Sequence, residues 1–428
     1  MAKSEKNNEN EDPEWTFLKD LQPGSKKTNP QTAREFERLG PIHATVGDPW
    51  QNSLDAKDPE HDGPVVCEMG IWDGDLRVHK EKVSEYFGPE LRRHISRVQD
   101  KHEISRHQRM KTFDEDMSFL TLEDFGTVGI TGKVDQFGIP FADMPEWLKQ
   151  ELRSNRFLWF NRAQNATSDD QDRRGSWGEG KFTLEGASRL GAQISWSIRA
   201  DDPPPRQVLM GQTTLRWHAI YKPPEYGDTD DDGTPIPATF GPYGFFSTSK
   251  LEDTGVDYAP LPVTDSGYIS RFRETFIMFR EDEPGLSILI PHPHEELLDP
   301  DSLARATIAR WLLSIYYDEM VIRIRHNGEL VHEISRENLR SVVQTLDWDV
   351  EMPWIGSKGE RNPAWRSEDQ WLGMIDLLDW AETAPEEGCF DIDPTGNTVA
   401  GPSWGNPFGL QGEGTMDRFR ERFNSGEP

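Results

Sequence analysis

The first residues suited to chemistry are a carboxylate and a carboxamide that are spaced for one face of a helix. In Asp48-x-x-x-Asn52-Ser53-x-Asp55-Ala56, positions 48, 52 and 55 have the spacing i, i+4, i+7. The amide oxygen of Asn52 suits Mg²⁺, which keeps most of its waters and takes few protein ligands. The Asp48 carboxylate, one turn earlier, is placed to orient or deprotonate a water that attacks a phosphate.

A glycine-rich stretch over residues 123–132 follows a predicted strand at residues 119–122. The carboxylate of Asp124, at the strand end, can accept a hydrogen bond from an adenine amino group. Gly126 and Gly129 have no Cβ, so the backbone there can come close to a base and a sugar. This stretch therefore indicates a site for the base and sugar of a nucleotide.

A second glycine-rich stretch precedes a helix that is predicted to end near Gly191. Its pattern is Gly175-x-x-Gly178-x-Gly180-Lys181. Exposed backbone N–H groups and a helix N-terminus favour phosphates, and Lys181 adds a cation. The spacing is not that of a Walker loop, and no clear strand leads into it as in a Rossmann fingerprint.

In this order, the three motifs resemble the N box, G1 box and G2 box of GHKL ATPases, the class of gyrase, heat-shock chaperone, histidine kinase and MutL proteins. The resemblance covers residues 30–220 and implies an ATP-binding domain of the Bergerat fold. It implies Asp48 as catalytic base, Asn52 as the Mg²⁺ ligand and Asp124 as the residue that reads adenine. It further implies a nucleotide pocket formed by Asp55, Gly126, Gly129, Gly175, Gly178, Gly180, Lys181 and, from a weaker fourth box at residues 211–214, Thr213.

The sequence departs from the family pattern in two of the boxes. The family's base is usually Glu, whereas Asp48 is one methylene shorter. Pro49 follows it inside the helix, where it removes a backbone donor. The G1 box also has one residue more between its glycines than the commonest form. We therefore expect ATP binding with Mg²⁺ and slow hydrolysis.

The chain is predicted to be of the α/β class, as an α+β two-layer sandwich. We expect a polar arm at 1–30, the ATP-binding domain at 31–222, a transducer-like α/β domain at 223–345 and a C-terminal region of unclear fold at 346–428. Strands are predicted at 64–72, 193–198, 208–220, 275–279 and 287–290, helices over 80–110 and from Ser302, and a hairpin at 321–334 with an Asn327-Gly328 turn.

Five further side chains invite a functional interpretation. Lys222 and Lys250 are positional candidates for the lysine with which a transducer domain reaches the γ-phosphate. His292 and His294 are interpreted as surface or capping residues rather than metal ligands, because no clear third ligand is near them. Cys67 lies on a strand pattern and is predicted to belong to the core.

Composition excludes several classes of protein. The chain has 428 residues and a formal net charge of −29, a sign that repels phosphate backbones and so does not indicate nucleic-acid binding outside a local basic patch. Cys67 and Cys389 are too few for a disulfide framework or a zinc cluster. The first residues lack a signal-peptide pattern, and no apolar run approaches the ~18 residues that span a bilayer, which predicts a cytoplasmic protein.

Four functions remain open. The first is an ATP-driven conformational switch that forms a homodimer and signals to a protein partner, by analogy with MutL, gyrase B and MORC proteins and with bacterial defence or DNA-maintenance ATPases. The second is a nucleotide-binding scaffold without hydrolysis, and the third is a chaperone-like ATPase. A histidine kinase is disfavoured, because only about 50 residues precede Asn52.

Overall fold

The computed structural model describes residues 12–19, 40–98, 110–136, 144–161, 180–200, 205–221, 238–248, 260–350 and 367–383. The chain divides into two compact units. The first is Met1–Ser335 together with Ile355–Gly359, and the second is Arg336–Trp354 together with Glu360–Pro428.

The strands of the first unit are β1 Glu14–Lys19, β2 Val65–Trp72, β3 Phe119–Phe125, β4 Ala192–Ile198, β5 Gln207–Thr214, β6 His218–Ile220, β7 Ala238–Ser247, β8 Gly285–Pro291, β9 Met320–His326 and β10 Glu329–Ile334. Its helices are α1 Pro41–Asp55, α2 Lys80–Tyr86, α3 Pro89–Ile95, α4 Glu146–Ser154, α5 Arg156–Asn161, α6 Gly180–Ala187, α7 Ser266–Thr275 and α8 Pro300–Tyr316. The second unit contributes α9 Leu339–Thr345 and α10 Glu368–Thr383.

All ten described strands belong to one mixed sheet, with the order β1-β7-β5-β4-β8-β3-β2-β9-β10 and β6 beside β7. The pairing of β2 with β9 is parallel. Strands from both sides of the predicted boundary at residues 222/223 alternate in this order, since β8 lies between β4 and β3. The two segments that the sequence assigns to separate domains therefore share one sheet.

Helices pack on both faces of the sheet. On one face, Ser53 of α1 reaches the Asp124 side chain of β3. On the other face, Phe276 at the end of α7 packs its ring 5.6 Å from that of Phe119. Residues 119 and 124 are an odd number apart in one strand, so their side chains point to opposite faces. The mixed α/β class is confirmed, with one helical layer more than the predicted two-layer sandwich.

The burial of the central strands explains the extra layer. β4 is buried along its whole length, and β2, β3 and β8 are almost entirely buried. Both faces of these strands thus need cover from the helices. The face under α7 carries a core rich in aromatic rings, in which Tyr86 contacts the rings of Phe272 and Phe276.

The structure tests several predictions of individual turns, helices and strands. The hairpin at Asn327-Gly328 is confirmed, and both turn residues have the positive φ that a type I′ turn requires, 52° and 89°. The helix over 80–110 is interrupted, because α2 ends before Gly88 and Pro89 begins α3. The strand at 275–279 is wrong, since α7 runs to Thr275 and a turn follows. Asp299, rather than Ser302, caps α8.

The second unit is described by its own contacts. The rings of Trp348 and Trp371 lie 5.6 Å apart. Arg340 of α9 donates to Asp376 and Asp379 of α10, at 2.6 and 3.0 Å. Within the described residues, no helix combines the length and apolarity needed to cross a membrane.

Two buried histidines hydrogen-bond to each other in the aromatic core. Nδ1 of His94 lies 2.7 Å from Nε2 of His218, whose Nδ1 donates to the Arg216 carbonyl at 2.8 Å. The His94 ring stacks on Phe17 at 3.9 Å. Burial, with His218 and Arg93 nearby, lowers the pKa of His94 to about 3. Both rings are therefore neutral in the folded protein at neutral pH.

We expect His94 to make the protein less stable as the pH falls from 6.5 towards 3. In this range the unfolded chain binds a proton at His94 that the folded protein does not bind, because burial lowers the folded pKa from 6.5 to about 3. One such group lowers the free energy of unfolding by about 1.4 kcal/mol per pH unit. Urea denaturation of His94→Phe at a series of pH values should show a shallower acid dependence by about that amount. The exposed His79→Gln is the control, and an unchanged slope in His94→Phe would contradict the expectation.

Candidate functional site

Helix α1 presents the first motif. Pro41 starts the helix, and Pro49 lies inside it without ending it, so residues 48, 52 and 55 share a face of one continuous helix. Asn52 is exposed, and Asp48 and Asp55 are partly buried. The main-chain carbonyl of Asp55 accepts from Arg156 at 2.9 Å, which ties the C-terminal end of α1 to α5.

The carboxylate of Asp124 lies near the end of β3 and is 4% exposed. Its Oδ1 accepts from the Thr127 hydroxyl and from the Leu286 main-chain N–H, both at 2.7 Å. Its Oδ2 accepts from the Ser53 hydroxyl at 2.8 Å. A carboxylate offers about four acceptor positions, so one position on Oδ2 remains for a further donor.

Ser53 brings the first and second motifs together. Its hydroxyl bonds to the Pro49 carbonyl at 3.1 Å and to Asp124 at 2.8 Å, so the face of α1 next to Asn52 is docked on the end of β3. Ser53 is a functional candidate that the sequence reasoning missed. The available signal was its place directly after Asn52, which turns it about 100° around the helix towards the sheet.

The two glycines after Asp124 have left-handed backbones, with φ of 76° at Gly126 and 68° at Gly129. A Cβ on Gly126 would lie 2.6 Å from Cδ2 of His61, and a Cβ on Gly129 would lie 2.6 Å from Oγ of Ser197. At Gly129 the missing Cβ thus lets the loop pack against the ends of β4 and β8. At Gly126 it leaves room for an exposed imidazole ring.

The third motif is described only in part. Gly175 and Gly178 lie outside the described residues, as do Lys222 and Lys250. Within the described residues, α6 runs from Gly180, with Lys181 in its first turn. Helix α6 packs against α1. The helix that follows the glycines therefore lies beside the element that carries Asp48 and Asn52.

Thr213 does not lie beside Asp124. β8 and β4 separate β5 from β3. The strand register aligns Asp124 with Leu286 of β8, Ser197 of β4 and Val208 of β5. Thr213 comes five residues after Val208 in β5. Side chains alternate along a strand, so the Thr213 side chain points to the face opposite that of Asp124. Its hydroxyl donates to the Gly191 carbonyl at 2.7 Å. The start of β8 takes the place beside Asp124 that the sequence assigns to residues 211–214.

A buried pair of opposite charges, which the sequence reasoning also missed, supports the end of β3. Glu123 accepts from the main-chain N–H of Phe279 at 2.7 Å and of Arg280 at 3.1 Å. Ser287 donates to the same carboxylate at 2.7 Å and accepts from Nε of Arg280 at 3.0 Å. Burial raises the pKa of Glu123 and lowers that of Arg280, and their mutual attraction opposes both shifts.

The histidine and cysteine predictions have different outcomes. His292 is buried, with 1% exposure, so its assignment to the surface is wrong, and burial lowers its pKa to about 3. His294 precedes a short 3-10 helix, and its Nε2 lies 3.1 Å from the Gly186 carbonyl. Cys67 is confirmed as a core residue, and burial raises the pKa of its thiol.

The residues present suit a nucleotide with one divalent cation. Within the described ranges, no three His, Cys, Asp or Glu side chains form a metal-binding group. Mg²⁺ does not need such a group, since it binds phosphates, water and one or two protein oxygens. The exposed Asn52 amide would provide one such oxygen, and the acceptor position of Asp124 that its three hydrogen bonds leave unused would suit an amino group of a base.

Comparison with known proteins gives no further assignment: no protein-family model and no curated protein matches the chain.

Proposed function

We propose that this chain is an ATP-binding protein of the GHKL class. The observation that carries the proposal is the 2.8 Å hydrogen bond between Ser53 and Asp124. Two motifs that are 71 residues apart in the chain, one with a magnesium-type ligand and one with a base-reading carboxylate, thereby meet in one place. A Bergerat-type arrangement of α1, β3 and the N-terminal end of α6 accounts for this meeting.

In the proposal, Asp124 selects adenine through the 6-amino group. Adenine has a hydrogen-bond donor at this position, whereas guanine has a carbonyl acceptor. Three of the four acceptor positions of the carboxylate are filled by Ser53, Thr127 and Leu286, so the fourth points in a fixed direction. A carboxylate in this state accepts the amino group of adenine and repels the carbonyl of guanine.

The triphosphate would extend along α1 towards α6. Asn52 would hold Mg²⁺ through its amide oxygen, and the N-terminal turn of α6, with Lys181, would bind phosphate oxygens. When held there, Mg²⁺ would supply positive charge that offsets the phosphate charge. Asp48, one turn before Asn52, would orient that water. ATP binding and slow turnover would drive a switch that acts through a second copy of the chain or a partner protein.

Equilibrium titration of the full chain tests this function. We expect saturable binding of ATP in the presence of Mg²⁺, weaker binding without Mg²⁺ and weaker binding of GTP. Asn52→Ala should reduce the dependence on Mg²⁺ and leave binding of metal-free ATP within about threefold of the parent, because a single metal contact is removed. Gln344→Ala, which removes an exposed carboxamide on α9, is the control. Equal binding with and without Mg²⁺ by the parent would count against the proposed metal site.

A further inference from the structure

The Arg280 side chain donates five hydrogen bonds within the described part of the first unit. It is 0% exposed, and its guanidinium lies 4.8 Å from the ring centre of Phe125. A charged group at this depth is costly unless it is both paired and hydrogen-bonded. The contacts of Arg280 therefore indicate its role at the candidate site.

Most partners of the guanidinium are main-chain carbonyls at the two strand ends beside Asp124. Nη2 donates to the carbonyl of Asp124 itself and to that of Leu286, the latter at 2.9 Å. Nη1 donates to the carbonyl of Pro284 at 2.9 Å. One planar group thus joins the end of β3 to the turn that leads into β8.

Gly285 allows this approach. It has φ of 146°, and a Cβ there would overlap Nη1 of Arg280 and lie 2.5 Å from the carbonyl oxygen of Asp124. Residue 286, directly after it, donates its N–H to Oδ1 of Asp124 at 2.7 Å. The bonds of the guanidinium hence fix both the main chain that carries the carboxylate and the N–H group that orients it.

The charges around Arg280 favour the same geometry. Nη2 lies 3.6 Å from Oδ1 of Asp124. Ser287 accepts from Nε of Arg280 and donates to Glu123, so the second carboxylate is bonded elsewhere and does not compete for the base. Arg280 approaches Oδ1 of Asp124, whereas Ser53 of α1 donates to Oδ2.

We propose that Arg280 is a positioning residue that fixes the Asp124 carboxylate for recognition of a 6-aminopurine and thereby determines base specificity. This inference rests on the proposed function. Arg280 does not touch the nucleotide and acts only through Asp124 and Leu286. Lysine at position 280 carries its three donors on one nitrogen, so it cannot occupy the separate positions of Nε, Nη1 and Nη2 from which the guanidinium reaches Ser287, Pro284 and Asp124.

The test compares two ligands that differ only in the 6-amino group, ATP and purine riboside triphosphate. The parent should bind ATP at least tenfold more tightly. Arg280→Lys should reduce this preference to threefold or less, chiefly by weakening ATP binding, with purine riboside triphosphate bound within threefold of the parent. Arg305→Lys, another buried arginine whose guanidinium bonds to Ser302 on its own helix, should keep the preference.

A second variant covers the case in which Arg280→Lys does not fold. Ser287→Ala removes only the hydroxyl shared by Arg280 and Glu123, and it should lower the preference for ATP at least threefold. An equal loss for both ligands, or no loss of preference in these variants, would overturn the role of Arg280 while leaving the proposed function intact. Failure of the parent to bind either ligand would instead overturn the proposed function, and this inference with it.

Discussion

Asp124→Asn is expected to weaken ATP binding by about 10- to 100-fold and to leave the fold intact. A hydrogen bond to a charged group is worth about 1.5–3 kcal/mol, and every 1.4 kcal/mol corresponds to a factor of ten in affinity. The Asn oxygen can still accept from Leu286 and Thr127, which occupy Oδ1 of the native carboxylate. The Asn amino group then replaces Oδ2 and faces the amino group of adenine, so two donors oppose each other.

A nucleotide with a different base provides the control for Asp124→Asn. Inosine triphosphate has a carbonyl at the position of the adenine amino group, so it should gain affinity relative to ATP in the variant. Titrations of both nucleotides against the parent and Asp124→Asn give the ratio directly. Equal weakening of both nucleotides, or a loss of folded protein in thermal denaturation, would mean that Asp124 is a structural residue only.

Asp48→Asn is expected to lower ATP turnover by at least about 100-fold while ATP affinity changes less than about threefold. A positioned general base contributes about 10²- to 10⁴-fold to a rate, and the amide cannot take up a proton. Asp48 lies on the face of α1 that carries Asn52, whereas the contact of this helix with Asp124 is made by Ser53, about 100° around the helix from Asn52. Its loss should therefore affect the attacking water and not the recognition of the base.

Steady-state phosphate release and equilibrium binding, measured on the same preparation, separate the two effects. Asp135→Asn removes an exposed carboxylate and is the control. Turnover that persists in Asp48→Asn would place the base elsewhere. Binding without turnover in the parent would favour the non-hydrolysing scaffold, because Asp48 would then be too short to reach the water.

Structural elements that depend on short stretches of the chain were predictable from the sequence. The β2 strand, the Asn327-Gly328 turn and α6 follow from patterns within about ten residues. Asp124 was predicted to lie at a strand end before glycines, and it lies near the end of β3. Each of these features depends on residues that are close together in the chain, so a local sequence pattern predicts it.

The order of the sheet was not predictable in the same way. β8 inserts between β3 and β4, although about 160 residues separate it from β3, and the choice among distant strands depends on tertiary packing. Thr213 was therefore assigned to a place that the start of β8 occupies. Arg280 was missed for the same reason, since the atoms that it bonds in Asp124 belong to a residue 156 positions away.

The central claim is that α1 and β3 bind a single molecule of ATP, and a crystal structure of the full chain with Mg²⁺ and a non-hydrolysable ATP analogue tests it most directly. We expect the adenine amino group within about 3.2 Å of Oδ2 of Asp124. In the same ligand, we expect the phosphate-bound Mg²⁺ about 2.1 Å from the amide oxygen of Asn52. An analogue that binds away from both side chains, or that contacts one without the other, would contradict the claim.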